Sequence, residues 1–142
     1  KRQKTGIKVG GIVEITTHAV GVEALKSVGG EMVLINSVII PEGTKYEEYS
    51  TKVFGLSEDN MDAVPINIYR GEDEDLAKCR KMGEVRIEDL PSGLPAGTEV
   101  EVRIGFDSSG IVSGTAKVMP EDGDEREVTF RVERGGIEIV GG

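Results

Sequence analysis

The chain has 142 residues, 37% of them apolar, with three Phe, three Tyr, no Trp and a formal net charge of −9. That length suits one compact core, which must rest on Val, Ile and Leu, a β-branched inventory better fitted to pleated sheets than to helix packing. The acidity excludes the clustered basic surface of a nucleic-acid binder, no apolar run reaches membrane-spanning length, and the single Cys79 excludes an internal disulfide.

In chain order, residues 1–13 read as a linker-like segment, with basic Lys1, Arg2 and Lys4 and the pair Gly10-Gly11. From residue 14 to 134 short apolar stretches alternate with turn signals. Met32–Ile35 and Val38–Ile40 are nearly continuous apolar runs, expected to be covered on both sides. Ile66 and Ile68 follow Val64 with period two. Asp73–Met82 is the one helix candidate, acids first and Lys78, Arg80 and Lys81 last, and it spans no more than a turn or two. Val85 and Ile87, then Val100, Val102 and Ile104, then Val128, Phe130 and Val132 each alternate with polar residues, the signature of half-buried strands. Gly29-Gly30, Pro41-Glu42-Gly43, Pro91-Ser92-Gly93, Asp107–Gly110 and Glu121-Asp122-Gly123 punctuate the runs. Residues 135–142 read as a tail. About eight strands so spaced predict an all-β sandwich of two antiparallel sheets.

Catalytic chemistry is poorly supplied. His18, the only histidine, has no motif that supports a triad and is expected as a strand residue. One Cys and one His are too few nitrogen and sulfur ligands for structural zinc. Asp107-Ser108-Ser109-Gly110 does not continue a calcium ligand series and is expected as a plain hairpin turn. The acidic run Glu72–Asp75 is expected to be a solvated surface. No glycine-rich phosphate loop is present. The chain is therefore expected to be no enzyme, to hold neither cofactor nor metal, and, with no secretory signal and one thiol, to be cytoplasmic.

Three segments together carry a resemblance. Ala19-Val20-Gly21-Val22-Glu23 is similar to an S-L-G-I-E motif, followed by Gly29-Gly30 and Ile39-Ile40-Pro41 where that motif's family has G-G and T-I-P. Val53-Phe54-Gly55-Leu56-Ser57-Glu58-Asp59-Asn60 is similar to V-F-S-T-A-E-D-N, and leads into Val64–Glu72, similar to V-x-I-x-V-x-Q-G-E. Phe106–Val112, ending in Ala116-Lys117, is similar to I-D-x-x-G-I-L ending in A-K. In this order, across residues 14–132, they resemble the substrate-binding β-domain of the DnaK-type, seventy-kilodalton heat-shock chaperones.

The resemblance implies a peptide channel at one end of the sandwich. Its apolar pocket would be lined by Val22, Phe54, Val64, Ile66 and Val100. Leu25 and Ser57 would arch over the peptide with Ala24 beside them, and backbone groups around Ala24, Leu25, Gly55 and Ser57 would bond its main chain. The implied partners are unfolded or extended polypeptides with apolar centres, their flanks basic to suit an acidic domain. ATP would bind a separate N-terminal domain of the full-length protein, and no nucleic acid or membrane is a partner.

Departures from the family pattern narrow this. Ile12-Val13-Glu14 preserves only part of the apolar interdomain linker, and Thr17 replaces a usual Pro. The stretch from Pro41 to Phe54 is longer than the family's, putting Tyr46 and Tyr49 in an insertion. Pro65 lacks a backbone N–H, so its strand is expected at an edge or a bulge. No helical lid follows Arg134 in this sequence. The alternative is a DnaK-like domain repurposed as an adaptor or self-association module; a small sandwich enzyme would need a carboxylate pair that no spacing here selects.

Overall fold

The computed structural model describes residues 13–133 and 136–141; the linker-like segment up to residue 12, with its basic cluster, and Arg134 lie outside the described residues. Nine strands follow in order: β1 (Val20–Val28), β2 (Glu31–Ile40), β3 (Ser50–Gly55), β4 (Val64–Arg70), β5 (Arg80–Ile87), β6 (Glu99–Phe106), β7 (Val112–Met119), β8 (Arg126–Glu133) and β9 (Gly136–Gly141). They form two antiparallel sheets, ordered β2-β1-β4-β5 and β3-β6-β7-β8-β9. This is the all-β sandwich that the periodicity predicts.

Alternation builds the core. On β6, Val100, Val102 and Ile104 are buried while Glu101 and Arg103 face outward; on β7, Val112, Gly114, Ala116 and Val118 are buried in turn. Phe130 of β8 and Ile40, Ile68 and Val85 from the facing sheet complete it. Gly21 is required where β1 crosses β2, because a Cβ there would fall 2.3 Å from Asn36 Oδ1 and 2.5 Å from Ser37 O.

Several expectations change. Residues 136–141 are a strand rather than a tail: Ile137 pairs with Val132 and Ile139 with Phe130, and Ile137 packs where a Cβ on Gly83 would stand. The helix candidate shrinks to one 3₁₀ turn, Leu76–Lys78, capped by Asp75 Oδ1 accepting from the Ala77 N–H at 3.0 Å. Arg80 and Lys81 instead pair with Arg70 and Tyr69 in β5, since so short a segment cannot repay helix nucleation. His18 lies in a bend before β1, not in a strand. Met32, Val33 and Leu34 are exposed rather than covered, because β1 pairs with β4 only over Val20–Val22 and the rest of the β1–β2 hairpin projects past it. Pro65 sits in an interior strand, yet at a local edge: Val64–Asn67 pair with β5 alone, and the bulge falls later, between Ile68 and Tyr69.

The insertion closes one end of the sandwich. Thr16 N–H donates to Thr44 O at 2.8 Å and Tyr46 N–H to Glu14 O at 3.0 Å, so residues 14–16 run beside it. Tyr46 stacks on Phe106 at 5.9 Å between centroids, and His18 meets the same ring edge-on at 5.6 Å. Tyr49 lies over Gly105, where a Cβ would come within 2.7 Å of its ring, and its hydroxyl is 2.9 Å from Ser113 Oγ. Asp107 Oδ1 accepts the N–H groups of Ser109 and Ile111, both at 2.9 Å, which makes the Asp107–Gly110 segment a self-bonded turn.

Candidate functional site

The two sheets part at the other end. Where β1 leaves β4 after Val22, a cleft of about 670 Å³ opens between the β1–β2 hairpin, the start of β4 and the loop after β3. Its deepest residues are Val22, Ile66, Val100 and Val102, all buried in the core. Phe54 and Val64 stand half-buried above them. Ala24 and Leu25 line the hairpin side; Gly55 and Ser57 line the loop side, with the Ser57 hydroxyl turned to Met61 Sδ at 3.8 Å. All nine residues that the resemblance nominated thus border one cavity.

Their positions follow from simple register. Val64 and Ile66 share a face of β4, Val100 and Val102 a face of β6, and Phe54 pairs directly with Val100. The loop after β3 is pinned from below. Leu56 N–H donates to Thr98 O at 2.9 Å, Asp59 Oδ1 accepts from Ala96 N–H at 2.8 Å, and Asn60 Oδ1 accepts from Gly93 N–H at 2.7 Å. Asn60 adopts φ 56°, a left-handed conformation that Asn tolerates better than most residues.

Met32, Leu34, Leu56, Met61 and Val102 also border the cleft and were not nominated. Val102 was available from its alternation with Val100. Met32 and Leu34 were not, because their place depends on hairpin register, which sets Leu25 opposite Leu34.

Among the described residues, the only charged side chains on the lining are Glu23 and Glu58, both acids. The Glu23 carboxylate accepts from Tyr69 Oη at 3.2 Å and from Asn67 Nδ2 at 3.4 Å. Burial raises the Tyr69 phenol above its ordinary value, and the bond to Glu23 adds to that shift. Asn67 Oδ1 is buried without a hydrogen-bond partner among the described residues, leaving an acceptor on the cleft wall.

Behind the hairpin lies the loop that follows β4. Asn36 N–H donates to Glu74 O at 3.0 Å, and the fully buried Asn36 Nδ2 donates to Gly71 O at 3.0 Å and Asp73 O at 3.2 Å. Lys26 Nζ reaches both carboxylate oxygens of Glu74, at 3.1 and 3.0 Å. Among the described residues no group of three or more His, Cys, Asp or Glu is placed to hold a metal ion.

Fold and cleft together define the class: a two-sheet antiparallel sandwich that opens at one end around an apolar cavity. A family model described as Hsp70 protein matches residues 9–138. The stromal 70 kDa heat shock-related protein, chloroplastic, of Spinacia oleracea is 29% identical over 119 residues, covering 84% of this chain and 18% of that protein. This chain belongs to the Hsp70 family, and it spans under a fifth of the length of that relative.

Proposed function

We propose that the cleft holds extended, apolar segments of unfolded polypeptides, as the substrate-binding part of a chaperone. The observation that carries this reading is the interrupted sheet. Among the described residues, the main chain of β1 beyond Val22 has no strand partner on its cleft side, so unpaired backbone groups stand over an apolar cavity.

Magnitudes say how such a site works. Burying one Leu-sized side chain contributes about 1.5–3 kcal/mol, whereas micromolar affinity requires about 8 kcal/mol. Main-chain hydrogen bonds around Ala24, Leu25, Gly55 and Ser57, at about 0.5–1.5 kcal/mol net each, must supply much of the difference. Those bonds read an extended backbone and ignore side-chain identity. A folded protein is refused because its backbone is already paired. The acids Glu23 and Glu58 favour clients with Lys or Arg beside the apolar anchor. The reading assigns ATP to a separate domain of the full-length protein and the whole to the cytoplasm.

Val64→Phe tests it. The larger ring fills the cavity, so affinity for a labelled Leu-centred peptide should fall at least tenfold, about 1.4 kcal/mol, while urea unfolding stays cooperative. Unchanged affinity in a folded variant would defeat the assignment.

One observation favours the alternative of an adaptor or self-association module. β9 ends the five-stranded sheet with Ile139 and Val140 half exposed, a surface suited to pairing with another chain. A concentration-dependent dimer indifferent to added peptide would favour that reading.

A further inference from the structure

We propose that the Lys26–Glu74 ion pair is a positioning brace, fixing the hairpin wall of the cleft and thereby setting how fast a bound peptide leaves; this rests on the peptide-binding reading. The hairpin needs such support. Among the described residues, β1 from Glu23 onward has β2 as its only strand partner, and a lone two-stranded ribbon is marginal in water. The Asn36 bonds to Gly71, Asp73 and Glu74 hold its base, at the Glu23–Asn36 pair. Lys26 lies three residue pairs farther out, about 10 Å along the ribbon. Of the ion pairs among the described residues, Lys26–Glu74 is the only one that involves β1 or β2.

Adjacency connects this pair to the site. Leu25, next to Lys26 on β1, and its cross-strand partner Leu34 border the cleft, while the Lys26 ammonium leaves the ribbon to meet Glu74 in the loop after β4. Brace and wall are neighbouring residues of one element. With the pair intact the wall is pre-organised, and a peptide binds without first ordering it. With the pair broken, the ribbon swings about the Asn36 anchor and the loss is expressed in dissociation.

Both partners are about half exposed, at 49% and 59%, which limits the effect. Lys26→Glu and Glu74→Lys should each raise the dissociation rate of a short fluorescein-labelled peptide, with a Leu centre and Lys flanks, by about two- to fivefold. The doubly reversed chain should restore the wild-type rate, and high salt should bring the wild type to the rate of the single variants. The milder Lys26→Gln and Glu74→Gln should behave as the reversals do, with little change in melting temperature. Wild-type rates in the single variants, or no rescue in the double, would overturn the brace while leaving peptide binding intact. Failure of the wild type itself to bind would remove the peptide reading, and the brace's role with it.

Discussion

His18 shows how one side chain registers its surroundings. It lies edge-on to Phe106, and burial lowers its pKa from the ordinary 6.5; the Arg70 charge adds to that shift and Glu42 opposes it. The folded chain therefore binds the proton more weakly than the unfolded chain. Stability is kept above pH 6.5 and falls as the pH drops below it towards the lowered value. His18→Gln should flatten the fall in melting temperature across that acid interval and change little at pH 8; an unchanged slope would show that His18 is not its source. At this scale much of the site was legible. Val22, Phe54, Val64 and Ile66 lie in the motifs and Val100 is implied by the resemblance, and their clustering follows from period-two alternation and the Phe54–Val100 pair. Met32, Leu34 and Met61 carry no such signal. An exposed Met in an apolar run looks like core until a projecting hairpin removes its cover.

At the scale of elements, β9 is the clearest departure from expectation. Paired glycines disguised Ile137-Glu138-Ile139 as a tail, although the residues alternate; only the pairing with β8 reveals the strand. It completes the five-stranded sheet and places Ile137 against Gly83 of the other sheet. A chain ending at Glu133 should lose about 2–4 kcal/mol, from one partly buried Ile and the β8–β9 ladder. A lower urea midpoint would record that loss, and an unchanged midpoint would mean that β9 contributes nothing. The β1–β2 hairpin departs from expectation for a related reason. Its apolar run suggested a strand buried on both faces, but burial requires neighbours, and β4 accompanies it for only three residues.

Across the whole molecule, the cleft and the insertion occupy opposite ends. Val100 borders the cleft and Phe106, at the far end of the same strand, stacks on Tyr46, about 20 Å away at the rise of a β-strand. The two ends are joined through β6 and the core. Tyr46→Ala should therefore cost about 1–3 kcal/mol of stability through the lost ring packing, yet leave peptide affinity within twofold; a larger change in affinity would show that the ends communicate. The fold class was readable because alternation and turn residues are local. The opening of the sandwich was not, because it depends on where two strands far apart in sequence cease to pair, which happens beyond the Val22–Ile68 pair.

Pro65 gives that opening a further consequence. An unpaired strand edge beside an apolar cavity is a template on which other chains can stack into aggregates. Along β4 the exposed edge runs from Val64 to Asn67, and Pro65 removes a donor near its middle. A continuous ladder cannot grow there. On the proposed peptide-binding reading, the cleft can then stay open to apolar chains without becoming the seed of a fibre.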